Sequence, residues 1–153
     1  MAPSETETED LSLGDAVTHL LEECRMILPG LQALLGFQLI AVFSAAFEDR
    51  LSPGEQRIHL LALALLAIAG ALVMAPAGYH RQTRPRQVSQ HFLLLSGRLL
   101  LIALVPLMLG IALDFYLIAR VILGQVFLSL ALASCLVVFV AGLWFVFPRW
   151  HRP

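Results

Sequence analysis

The chain has 153 residues, 59% of them hydrophobic and 14% charged, with a net charge of −1 and a mean hydropathy of +0.82. Soluble domains sit near about 45–50% apolar and 25% charged, so a water-soluble globule is excluded and lipid is the expected solvent. All ten basic residues are arginine; they stand between apolar runs and form no patch for nucleic acid.

Residues 1–10 carry Glu5, Glu7, Glu9 and Asp10. A secretory signal would carry positive charge there, so a disordered acidic tail is expected. Over residues 11–28, Leu13, Val17, Leu20, Leu21, Cys24 and Leu28 recur at helical spacing. Asp15, His19, Glu22, Glu23 and Arg25 interleave with them. This pattern predicts an amphipathic helix. Its acidic polar face suits a basic loop further along the chain better than anionic lipid. Pro29-Gly30 is the expected hinge into the membrane.

Four apolar runs follow, at about 28–47, 58–77, 92–118 and 121–147. A spanning helix needs roughly 20 mainly apolar residues. The runs are rich in Leu and Ala without strand-like alternation, which favours helices over a barrel. The predicted fold is all-α: a four-helix transmembrane bundle at 28–148, preceded by a cytoplasmic amphipathic helix and closed by a short tail at 149–153.

The connections are legible. Glu48 to Glu55 is a polar loop in which Ser52, Pro53 and Glu55 have the spacing of a capping box with proline at the first helical position. Tyr79 to His91 is a basic loop around Arg84-Pro85-Arg86. Between the third and fourth runs Arg120 marks the turn. Pro106 should kink the third span. Cys24 and Cys135 lack the spacing of a metal or redox motif and read as small hydrophobic residues.

Polar residues at membrane depth are the candidates for function. Asp114 lies about one turn inside the end of the third span, and Gln125 lies at similar depth on the way back. With Arg120 between them, the three are expected to cluster. Asp114 is then either a protonatable site in an ion path, or a residue that snorkels outward or pairs with Arg120, Arg57 or Arg50. Gln38, near the middle of the first span, and Gln32, two turns away, should hydrogen-bond across helices. Ala64, Ala67, Ala71, Ala75 and Gly78 form a small-residue face on the second span. Such a face allows close approach, either inside the bundle, which is favoured, or in a homo-oligomer. His19, His59, His80, His91 and His151 read as interfacial histidines. No motif for catalysis, a metal or a cofactor is present.

With four spans, Arg25, Arg81, Arg84, Arg86, Arg98, Arg149 and Arg152 share one side, against Arg50, Arg57 and Arg120 on the other. The positive-inside rule then places both termini in the cytoplasm.

Leu21-Glu22-Glu23-Cys24-Arg25-Met26-Ile27-Leu28-Pro29-Gly30, with Gln32, Leu35 and Phe37, resembles the opening of a family of small bacterial four-span membrane proteins catalogued as a domain of unknown function. The second span closes on Pro76-Ala77-Gly78-Tyr79-His80-Arg81, which matches that family's Pro-x-x-x-His-Arg element. The resemblance covers about residues 20–147 and implies a bacterial inner-membrane location, with no established activity and no catalytic residue to carry over. Glu22, Glu23, Arg25, Gln32, His80 and Arg81 fall on one side, and Glu22 or Glu23 is expected to pair with Arg81. The expected function is that of a non-enzymatic structural or accessory membrane subunit. The alternative is an oligomeric proton or cation transporter with Asp114 as its protonatable site.

Overall fold

A computed structural model describes residues 12–83 and 90–150. The acidic tail, Arg84, Arg86, Arg152 and the side chain of His80 lie outside the described residues. The elements are α1 (Leu13–Val42), α2 (Ala45–Arg50), α3 (Pro53–Thr83), α4 (Gln90–Leu123) and α5 (Val126–Ala141). A π turn at Gly142–Val146 carries α5 into α6 (Phe147–Trp150). Among the described residues there is no strand. Four stretches are long and apolar enough to cross a membrane: Gly14–Val42, Pro53–Tyr79, Gln90–Leu123 and Val126–Trp150. Their outer faces carry Phe37, Ile40, Leu60, Ile102, Phe127 and Val138 exposed. Lipid accepts such a surface and water does not.

α3 and α4 form the central pair, α1 packs across both, and α5 rests mainly on α4. Near one end Leu20 and Cys24 of α1 meet Val73 of α3 and Ala103 of α4, with Ile27, Leu28, Leu72, Leu93 and Leu100 around them. Tyr79 stacks on Phe92 at 5.8 Å at the same end, joining α3 to α4. Gly110 sets how closely α3 and α4 approach. A Cβ there would lie 3.0 Å from both Cγ and Cδ2 of Leu66 and 3.3 Å from the carbonyl oxygen of Ala62.

Several boundaries differ from the expected ones. The amphipathic stretch and the first span form one helix, α1, that runs unbroken through Pro29-Gly30. An interior proline removes one backbone bond and crowds the preceding turn. Ile27, Leu28 and Leu31 pack on the neighbouring helices on both sides of it and hold the helix together. The apolar face at Val17, Leu20 and Cys24 is thus part of the bundle core. α1 ends at Val42, short of Phe47, where the hydroxyl of Ser44 donates to the carbonyl of Ala41 at 2.7 Å. The short α2 then turns Phe47 back toward α3, against the ring of His59 at 5.2 Å.

The capping box forms as expected. Ser52 N–H donates to the Glu55 carboxylate at 2.8 Å, its hydroxyl does so at 2.7 Å, and Glu55 N–H returns to Ser52 Oγ at 3.4 Å. The turn between the last two spans is at Gly124, not Arg120. Gly124 has φ of 68° and its N–H donates to the carbonyl of Arg120 at 3.1 Å. That is the left-handed stop that glycine adopts without strain. α4 therefore runs one turn past Arg120 before it ends.

The favoured internal role for the small-residue face is not what the structure shows. Ala64, Ala67, Ala71 and Gly78 are exposed and Ala75 is half-buried. α3 turns Ala62, Leu66, Ala69, Gly70 and Val73 inward instead. Those buried positions follow His59 at helical spacing, so one face carries both the polar group and the close packing.

Candidate functional site

At the end of the bundle remote from Leu20 and Cys24, α1, α3 and α4 each contribute one polar side chain. Gln38 comes from the last turns of α1, His59 from the second turn of α3 and Asp114 from α4, one turn after Gly110. Gln38 and His59 are buried, while the Asp114 side chain keeps 21% of its surface. The Gln38 amide donates through Nε2 to Asp114 Oδ2. His59 Nε2 lies 3.1 Å from the backbone carbonyl of Gln38. A carbonyl only accepts, so Nε2 carries the proton. His59 Nδ1 then faces Asp114 Oδ1 at 3.9 Å.

This wiring leaves acceptors facing one another. In neutral His59 the Nδ1 lone pair points toward a carboxylate oxygen, which is also an acceptor. The amide oxygen of Gln38 is buried and has no partner among the described residues. A proton or another cationic donor is the complement such a set calls for, because buried acceptors left unpaired cost about 1–3 kcal/mol each.

The cluster lies at the wall of a cleft of ≈ 400 Å³ between α1 and α4, which Phe47 of α2 and Leu51 also line. Leu34, Phe37, Ala41, Leu117, Ile118 and Ile122 are among its apolar lining. Next to the cleft, Arg120 Nε lies 3.2 Å from Glu55 Oε1, so the capping carboxylate also ties the end of α4 to the start of α3.

The expected cluster of Asp114, Arg120 and Gln125 does not form. Arg120 belongs to Glu55, and Gln125 is exposed at the N-cap of α5, because the chain turns at Gly124. Gln38 makes the interhelical bond expected of it, whereas Gln32 is exposed. Glu22, Glu23, Arg25 and Arg81 are also exposed. Glu22 lies 3.8 Å from His19, and among the described residues neither glutamate forms an ion pair with Arg81. The continuous α1 directs that stretch along the bundle instead of folding it beneath a loop. His80 lies in α3 with its side chain outside the described residues.

A family model described as a family of unknown function (DUF6328) matches residues 5–148. The chain belongs to that family. The match bears out the resemblance to a four-span family of unknown function. No curated protein and no solved structure matches the chain. In this DUF6328 protein the site residue that sequence reading missed is His59. Its signal was its phase, since Ala62 and Leu66 three and seven positions on mark the face that packs inward. Phe47, which supports His59, carries no such signal, because α2 is too short to show a period.

Proposed function

We propose that this protein is a small, non-enzymatic membrane transporter for protons or monovalent cations, with Asp114 as the ion-carrying group. One observation carries the reading: a carboxylate and an imidazole stand 3.9 Å apart within the bundle, at the wall of a cleft. Ionisable groups at such depth are costly and mark ion paths. Gln38 and His59 position the carboxylate. The cleft supplies the wetted or ligand-filled space that a thin bundle of Leu and Ala otherwise lacks.

The test uses the full chain in liposomes containing a pH-sensitive dye, with imposed proton and K⁺ gradients. The wild type is expected to dissipate a gradient faster than empty vesicles, and Asp114→Asn to fall to their background. Full flux in Asp114→Asn overturns the reading.

The location proposed is a bacterial inner membrane with both termini cytoplasmic, supported by seven arginines on the N-terminal side against three. A Ser52→Cys protein should then react with an impermeant maleimide added outside intact cells. Labelling only after lysis reverses the orientation. The outward faces of Ala64, Ala67 and Ala71 favour assembly of copies through α3, which also accommodates the accessory-subunit reading. Native mass spectrometry should find an oligomer that Ala67→Leu disperses; a monomeric wild type removes this element.

A further inference from the structure

We infer that the cleft beside Asp114 binds a small apolar ammonium ion, with its cationic N–H head at Asp114 and its hydrocarbon body between α1 and α4. This rests on the reading of Asp114 as the ion-carrying group and names the class of cation the site takes.

The head is specified by the polar wall. Asp114 presents a partly open carboxylate, His59 turns Nδ1 toward it, and the Gln38 amide oxygen is buried without a partner among the described residues. All three are acceptors when His59 is neutral, so the complementary group is a donor and, opposite a carboxylate, a cation. A primary ammonium offers three N–H donors and one charge. A quaternary ammonium offers charge alone, and a neutral alcohol offers one donor without charge.

The body is specified by the rest of the lining. Leu34, Phe37, Ile118 and Ile122 border a space of ≈ 400 Å³, within the range of about 300–1,000 Å³ typical of small-molecule pockets. A bare metal cation would leave that apolar wall unused. Nor is a phospholipid with an ammonium head the better fit. Its phosphate would need a cationic partner, no arginine among the described residues lines the cleft, and nearby Arg120 is held by Glu55 at 3.2 Å. The occupant with the right charge and shape is a free amphipathic ammonium.

The test is calorimetric titration of the purified full chain in detergent with 1-naphthylmethylammonium. Its neutral alcohol analogue, its trimethylammonium analogue and 1-naphthylacetate serve as comparisons. The primary ammonium is expected to bind at least about tenfold more tightly than the alcohol and the quaternary ion, with the carboxylate silent. Asp114→Asn should remove that preference. Ala41→Phe, which fills the cleft and leaves the polar wall intact, should weaken every ligand, while circular dichroism confirms that both variants keep their helix content. Equal binding of ammonium and alcohol, or an ammonium preference that survives Asp114→Asn, overturns the inference. So does displacement of the probe by phosphatidylethanolamine micelles but not by phosphatidylcholine micelles. Asp114-dependent ion flux without ammonium binding defeats this inference and leaves the proposed function standing. Asp114-dependent binding without any flux does the reverse.

Discussion

Gly110→Val is expected to lower the stability of the bundle by about 1–3 kcal/mol, the usual cost of overpacking a tight contact, and to abolish Asp114-dependent flux. A Cβ at this position already lies 3.0 Å from two atoms of Leu66 and 3.3 Å from the Ala62 carbonyl oxygen. The leucine tip can give way and the backbone oxygen cannot, so the two branches of valine force α3 and α4 apart. Asp114 sits one turn further along α4 and His59 less than one turn before Ala62 on α3. Separation at Gly110 is therefore passed directly to the 3.9 Å gap between them. Unfolding by dodecyl sulfate in mixed micelles reads the stability, and the liposome assay reads the flux. Gly110→Ala should be milder, since a single methyl needs a shift of only a few tenths of an ångström. Leu66→Ala in the Gly110→Val background should be less damaging than the two single effects summed. Strict additivity would mean that Leu66 and Gly110 do not set the helix spacing.

Gln38→Leu is expected to destabilise the fold by about 1 kcal/mol, the loss of the donor to Asp114 being partly offset by removal of the unpaired, buried Gln38 amide oxygen. The substitution removes the amide that donates to Asp114 Oδ2 and leaves a partly buried carboxylate short of a donor, which costs more than the bond itself contributes. The backbone carbonyl of Gln38 that receives His59 is unaffected, so the effect isolates the side chain. The double variant Gln38→Leu, Asp114→Leu removes both partners and should recover much of the loss, because a buried polar pair replaced by apolar side chains is often close to neutral. The same double variant should carry no flux. A double-mutant cycle in dodecyl sulfate gives the coupling energy, and additive effects would show that the contact is not formed in the membrane. Recovered stability without flux would show that this cluster serves function and is not needed to hold the helices together.

Sequence reading and structure diverge where distance along the chain matters. The capping box at Ser52 to Glu55 was readable because all its partners lie within three residues. Asp114 and Gln38 stood out individually, since a charge or an amide at membrane depth is conspicuous by composition. Their partnership was not readable, because it spans 76 positions. The local guess, that Asp114 would turn to Arg120 and Gln125, failed because Gly124 allows α4 to run past Arg120 and point it at Glu55. The alanine face on α3 misled for a related reason. Small residues line both sides of that helix, and only the packing of Leu66 against Gly110 selects the inner one.

The sequence by itself determined that this is a helical membrane protein with four spans, because hydropathy and length are properties of contiguous residues and lipid demands internally satisfied backbone. It also determined which residues would be costly at membrane depth. Only the tertiary structure decided that Gln38 and Asp114 belong together with His59, which by sequence reads as an interfacial histidine. Each lies on a different helix, and their meeting depends on the close approach of α3 and α4 at Gly110 and on the unbroken course of α1 past Pro29. Those are packing outcomes, set by side-chain shape across helices, and hydrophobic pattern along a single helix does not encode them.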